Sequence, residues 1–180
     1  MPTHSQNLVA PARRVAQYAE LMLKDVDPAK AGAKPRGANN VVIDTNTPTF
    51  VFGHLAIYPA RILSLLGRPE SEVAAIKVPE QWEAMFKAGA PCEDDVENNK
   101  YPSLAAVSAH FIRAHAAAMQ ALETATSDEP LLAPFPDPAR REVFPTVGSA
   151  VNFLLIGHPM VHLGQVSAWR RCMGLKSAMG

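Results

Sequence analysis

Two histidines four residues apart carry the strongest chemical signal in the chain. His158 and His162 lie in Gly157-His158-Pro159-Met160-Val161-His162-Leu163-Gly164-Gln165. On a helix that spacing sets one side chain above the other, about 6 Å apart at Cβ, so both can reach a single metal ion. The stripe Val151, Leu155, His158, His162, Gln165 and Trp169 reads as an inward helix face. Two buried imidazoles there need partners, because unpaired buried polar groups are costly. A metal ion would satisfy both at once. The alternative is one histidine on a backbone carbonyl and the other partly exposed.

His54 is the third candidate. It sits in Val51-Phe52-Gly53-His54-Leu55-Ala56-Ile57-Tyr58, on a face shared with Val51 and Tyr58. Gly53 beside it has no side chain and would leave room near the imidazole. Three histidines with an open fourth position describe a catalytic rather than a structural metal site. Imidazole ligands suit Zn, Ni, Fe or Cu, and composition does not choose among them. His115 belongs to an inward face as well, where a fourth ligand, a base or a satisfied core histidine are the options. His110 falls off that face and is expected to be solvated. Cys92 and Cys172 are too few for a disulfide framework and are expected as unpaired thiols, with Cys172 a packing residue.

These residues need helices to position them, and proline marks where the helices fall. The chain has 16 prolines in 180 residues, well above the usual ~5%. Leu8, Ala12, Val15, Ala19, Met22 and Val26 form one helical face, with Asn7 as a cap, Pro11 in the first turn and Asp27-Pro28 as the stop. A second helix runs from Pro48 to about Leu66, capped by Thr47 and closed by Gly67. A third is cued by Tyr101-Pro102-Ser103 and continues to about Thr126. A fourth starts near Thr146 and stops at Gly174, with Arg170 and Arg171 complementing the dipole in its last turn.

The connections are unequal. Some 35 residues join the second helix to the third, and Pro79 to Phe86 within them reads as a short helix closed by Gly89. The stretch Pro130 to Pro145 holds five prolines and is expected as an extended loop. Val41-Val42-Ile43 is too short and isolated to found a sheet. The expected fold is all-α: a four-helix bundle with a long crossover between helices 2 and 3. Pro59 and Pro159 fall inside helices, each removing a hydrogen bond at a cost of ~3 kcal/mol. Both lie within about a turn of a candidate ligand. They either widen the bundle at the site or simply bend the helices around the core.

Composition excludes several functions. With 17 Lys+Arg against 17 Asp+Glu the net charge is zero, so there is no basic footprint for nucleic acid. No window approaches 18 uninterrupted apolar residues, so no membrane span is expected. Met1 to Ala10 lacks the pattern of a signal peptide. The expected location is the cytoplasm.

The chain resembles the DinB-like (DinB/YfiT-type) superfamily of metal-binding four-helix bundles. The resemblance rests on Phe52-Gly53-His54-Leu55, on Tyr101-Pro102-Ser103, and on His158-x-x-x-His162-Leu163-Gly164-Gln165-x-x-x-Trp169-Arg170-Arg171-x-x-Gly174. It covers nearly the whole chain and implies one domain over residues 1–180. It also implies that the metal ligands are His54, His158 and His162, with Gln165 orienting a ligand or bound water. Pro159, directly after a ligand, departs from the family pattern.

Relatives in that family include S-transferases and isomerases that use low-molecular-weight thiols. The resemblance therefore implies a divalent transition metal (Zn, Ni or Fe) and a small-molecule substrate or thiol, with transferase, isomerase or hydrolase chemistry. Tyr58, Trp169 and Gln165 would shape the surroundings of the metal. The alternative is a non-catalytic metal-binding bundle or a dimerising one, since an Ala-rich bundle can pair through a flat face into a homodimer.

Overall fold

Apolar spacing and capping groups explain most of the element boundaries. The computed structural model describes residues 3–178. Among these the regular structure is helical, with two isolated β-bridges and no strand. Helix α1 spans His4–Leu23, one turn earlier than the Leu8 periodicity suggests. Thr3 and Gln6 form a reciprocal capping box, and the Asp128 carboxylate accepts the His4 and Ser5 N–H groups. Together they satisfy the orphan donors of the first turn, so Asn7 is not the cap. Pro11 consequently lies two turns in, on an exposed face, where the Asn7 carbonyl loses its helical donor.

The second rod is α2 (Pro48–Ala56) followed by α3 (Tyr58–Leu65), broken at Ile57 ahead of Pro59. Thr47 caps it, and Gly67 closes it at φ +68°, a left-handed conformation that costs glycine little. The crossover carries α4 (Glu70–Ile76) and α5 (Glu80–Phe86). Helix α4 escaped the sequence reading, although Pro69 precedes it and Glu70 and Glu72 suit its positive end. The third rod, α6 (Leu104–Glu123), starts at its Ser103 cap as expected.

The proline-rich stretch is less extended than its composition suggested. It opens with a single turn, α7 (Glu129–Leu132), and holds a 3-10 turn at Pro138–Arg140 capped by Asp137. The fourth rod joins α8 (Val147–Asn152), a π-helical segment at Phe153–Gly157 and α9 (His158–Cys172). Helix α6 packs on α1, α2 and α3, and α9 packs on α1 and α2. These contacts make a four-rod helical bundle with the expected crossover.

Phe52, Phe111, Leu55, Val107, Val166 and Trp169 fill the core around α2, α6 and α9. Arg170 is buried at 3% exposure rather than serving only its own helix. Its guanidinium donates to the carbonyls of Met22, Lys24 and Lys176. It thus ties the C-terminal end of α1 to that of α9, where a helix presents partial negative charge. No described helix is long and apolar enough to cross a membrane.

Candidate metal centre

The site begins with a glycine. An added Cβ at Gly53 would lie 2.5 Å from the Phe86 ring, so only glycine admits the close approach of α5 to α2. The space beside His54 is therefore filled by Phe86 and is not open. Phe86 is fully buried, and its backbone carbonyl reaches the next residue along α2. His54 donates its Nδ1–H to that carbonyl at 2.6 Å. This bond fixes the tautomer and leaves the Nε2 lone pair pointing the other way. The hydroxyl of Tyr58, one turn on, lies 3.4 Å from that Nε2.

On α9, His162 donates its Nδ1–H to Gln165 Oε1 at 2.8 Å, and Asn46 Nδ2 donates to the same oxygen at 2.9 Å. Two donors on one atom set the orientation of the Gln165 amide. The Nε2 of His162 is again an inward lone pair. Between the two lies His158, whose Nε2 is 3.1 Å from His54 Nε2 and 3.1 Å from His162 Nε2. One ligand atom from each residue lies within 4.8 Å of the other two.

The proton count leaves this arrangement incomplete. His54 and His162 both present lone pairs; a single N–H on His158 Nε2 cannot serve both fully, and the Tyr58 hydroxyl reaches His54 Nε2 only at a long 3.4 Å. His158 Nδ1 is buried with no hydrogen-bond partner. A cation placed among three convergent imidazole nitrogens resolves the clash of lone pairs, and the outward bonds of His54 and His162 are the supports metal-binding histidines need. The donor set fits a transition metal. Burial holds the His54 pKa down at about 4 and that of His158 at about 3, while burial also lowers that of His162. All three imidazoles are neutral near pH 7, the form that ligates a metal.

The structure thus brings together His54, His158, His162, Tyr58 and Gln165. Trp169 lies apart: it is 1% exposed, and its indole N–H donates to the Ala33 carbonyl at 2.8 Å. It closes the core one turn beyond Gln165. His115 is 1% exposed and its Nε2 donates to the Leu155 carbonyl at 3.0 Å, a core histidine satisfied at that nitrogen only. His110 corrects an expectation. It is buried, with Nε2 on the Ile76 carbonyl at 2.9 Å and its ring against Trp82, because the crossover covers that side of α6.

The inward face of the fourth rod is also shifted from its expected place. Its buried residues include Val147, Val151, Leu155, Pro159 and Leu163, spaced by four. An α-helix would drift off that line, and the wider π turn keeps to it. His158, His162 and Gln165 lie at the margin of the stripe, half-buried. The histidines therefore face a partly accessible edge of the bundle. Phe153, 42% exposed, packs its ring 5.5 Å from that of His158. Cys92 and Cys172 are free thiols as expected, although Cys172 is exposed and not packed. Burial raises the Cys92 pKa.

Sequence reasoning missed the Phe86 carbonyl and Asn46. A backbone acceptor 32 residues from His54 leaves no side-chain signature. Asn46, directly before the Thr47 cap, reads simply as a loop residue. Compared with known proteins, the chain matches a family model described as the DinB superfamily over residues 12–166. No curated protein and no solved structure matches it.

Proposed function

The chain belongs to the DinB superfamily, and from that premise we propose a metal-dependent protein that acts on a small molecule, with His54, His158 and His162 as the metal ligands. The observation that carries the proposal is the pair of outward bonds, His54 to the Phe86 carbonyl and His162 to Gln165, which turn two Nε2 lone pairs onto the third histidine. Zinc, nickel and iron all suit three imidazoles. When bound, such a cation supplies a Lewis acid that stabilises a thiolate or polarises a carbonyl.

The chain's own residues support chemistry on a thiol-bearing or carbonyl-bearing small molecule. The half-buried positions of His158 and His162 leave an approach from the α9 side. Tyr58 stays a protonated hydroxyl, since burial raises its pKa, and so remains a hydrogen-bond donor beside His54. Arg61 lies 5.1 Å over the Tyr58 ring and is paired with Glu83. Zero net charge favours a small-molecule partner over nucleic acid. In this reading the reaction is a transfer or isomerisation that uses a low-molecular-weight thiol, or a hydrolysis of a small molecule by water.

Metal analysis of untagged protein after reconstitution tests the proposal. The expected content is near one transition-metal ion per chain, lost in His162→Ala. No bound metal after reconstitution with zinc, nickel and iron in turn would overturn it.

A further inference from the structure

His115 belongs to no part of the site described above, yet its hydrogen bond ends on the rod that carries two of the three ligands. In an α-helix the carbonyl of Leu155 accepts from the N–H four residues on. That residue is Pro159, which has no N–H; in the wide register seen here the donor would be Met160, five residues on. Leu155 is fully buried, so water does not reach its carbonyl freely, and an unpaired buried carbonyl is costly. The imidazole of His115, from the facing helix α6, donates to that carbonyl at 3.0 Å. His115 Nδ1 is buried without a partner, so this bond is what its polar atoms achieve.

The consequence lies in the register. Leu155 is the centre of the π segment Phe153–Gly157, and His158 is the next residue. The His158 N–H bonds to the Phe153 carbonyl, five residues back. Each residue of helix turns the following side chains by about 100°, so gain or loss of the wide turn decides which way His158 points. We propose that His115 is a positioning residue for the metal centre: its Nε2–H holds the Leu155 carbonyl at the centre of the π segment, where Pro159 bars the α-helical register, and so keeps His158 aimed at His54 and His162. The inference rests on the reading of the three histidines as metal ligands.

The test is a thermodynamic cycle in zinc affinity, measured by competition with a chromophoric chelator on the full chain. His115→Phe keeps a ring but removes the donor, and Pro159→Ala supplies the N–H that an α-helical register would bring to the Leu155 carbonyl. His115→Phe is expected to weaken zinc binding roughly tenfold or more, the usual effect of losing a support behind a ligand. Circular dichroism should show the apoprotein still helical. In the Pro159→Ala background the same substitution should cost less than threefold, because the carbonyl no longer depends on His115. That comparison also serves if His115→Phe alone fails to fold. A purely structural histidine would lower the melting temperature and leave affinity unchanged, and that result would overturn the inference while the three-histidine site stands. Absence of zinc binding by the unsubstituted protein would overturn both.

Discussion

The carbonyl of Phe86 and the Nδ1 of His54 are 2.6 Å apart, and this bond decides which side of the imidazole is free. It exists because Gly53 lets the Phe86 ring lie where a Cβ would stand. Gly53→Ala should therefore act at a distance. Overpacking of this kind costs about 1–3 kcal/mol, and displacing the Phe86 carbonyl should weaken metal binding by roughly tenfold. Urea unfolding and a zinc competition titration read the two effects separately.

Gln165 plays the matching part for His162, and Asn46 holds Gln165 in turn. Gln165→Leu removes the acceptor and should weaken zinc binding by about 10- to 100-fold. Gln165→Glu keeps an acceptor and should stay close to the unsubstituted protein. Asn46→Ala should fall between the two. A titration series across the three variants checks the order.

The histidines also give the stability a pH dependence whose sign follows from their environment. His54 is held at about 4 and His158 at about 3, both below the ordinary 6.5, chiefly because burial disfavours the charged ring. Below pH 6.5 the unfolded chain takes up protons that the folded chain does not, so acid favours unfolding. The metal-free protein should be flat in stability above about pH 6.5 and lose stability progressively between there and about pH 3. His54→Gln should flatten part of that slope. Protons compete for the same nitrogens, so bound metal should be released over the acid range too. Melting temperatures against pH, with and without chelator, measure both.

Arg170 predicts a stability effect away from the histidines. Its buried guanidinium serves carbonyls of Met22, Lys24 and Lys176, and no carboxylate among the described residues pairs with it. Arg170→Met should cost about 2–4 kcal/mol by leaving those carbonyls unserved. Zinc affinity of the folded variant should be unchanged. Chemical denaturation together with a metal titration separates the two.

Much of this was legible because helices write their periodicity into the sequence. The four-residue spacing of His158 and His162, and the flanks of His54, pointed to the three histidines that the fold brings together. Thr47, Ser103 and Thr146 marked helix starts because a side-chain oxygen must serve a free N–H there. What did not show was whatever depends on a second element. His110 looked solvated because its own helix does not reveal that the crossover covers it. The π turn before Pro159 moved the buried stripe from the line an ideal helix would follow, and a straight 3.6-residue count cannot register an inserted wide turn.

The most direct test is a crystal structure of zinc-reconstituted protein with data collected on both sides of the zinc absorption edge. The account predicts one strong anomalous peak among the Nε2 atoms of His54, His158 and His162, with Phe86 and Gln165 still holding the outward nitrogens. Zinc bound elsewhere, or no peak at the three histidines in fully reconstituted crystals, would contradict it.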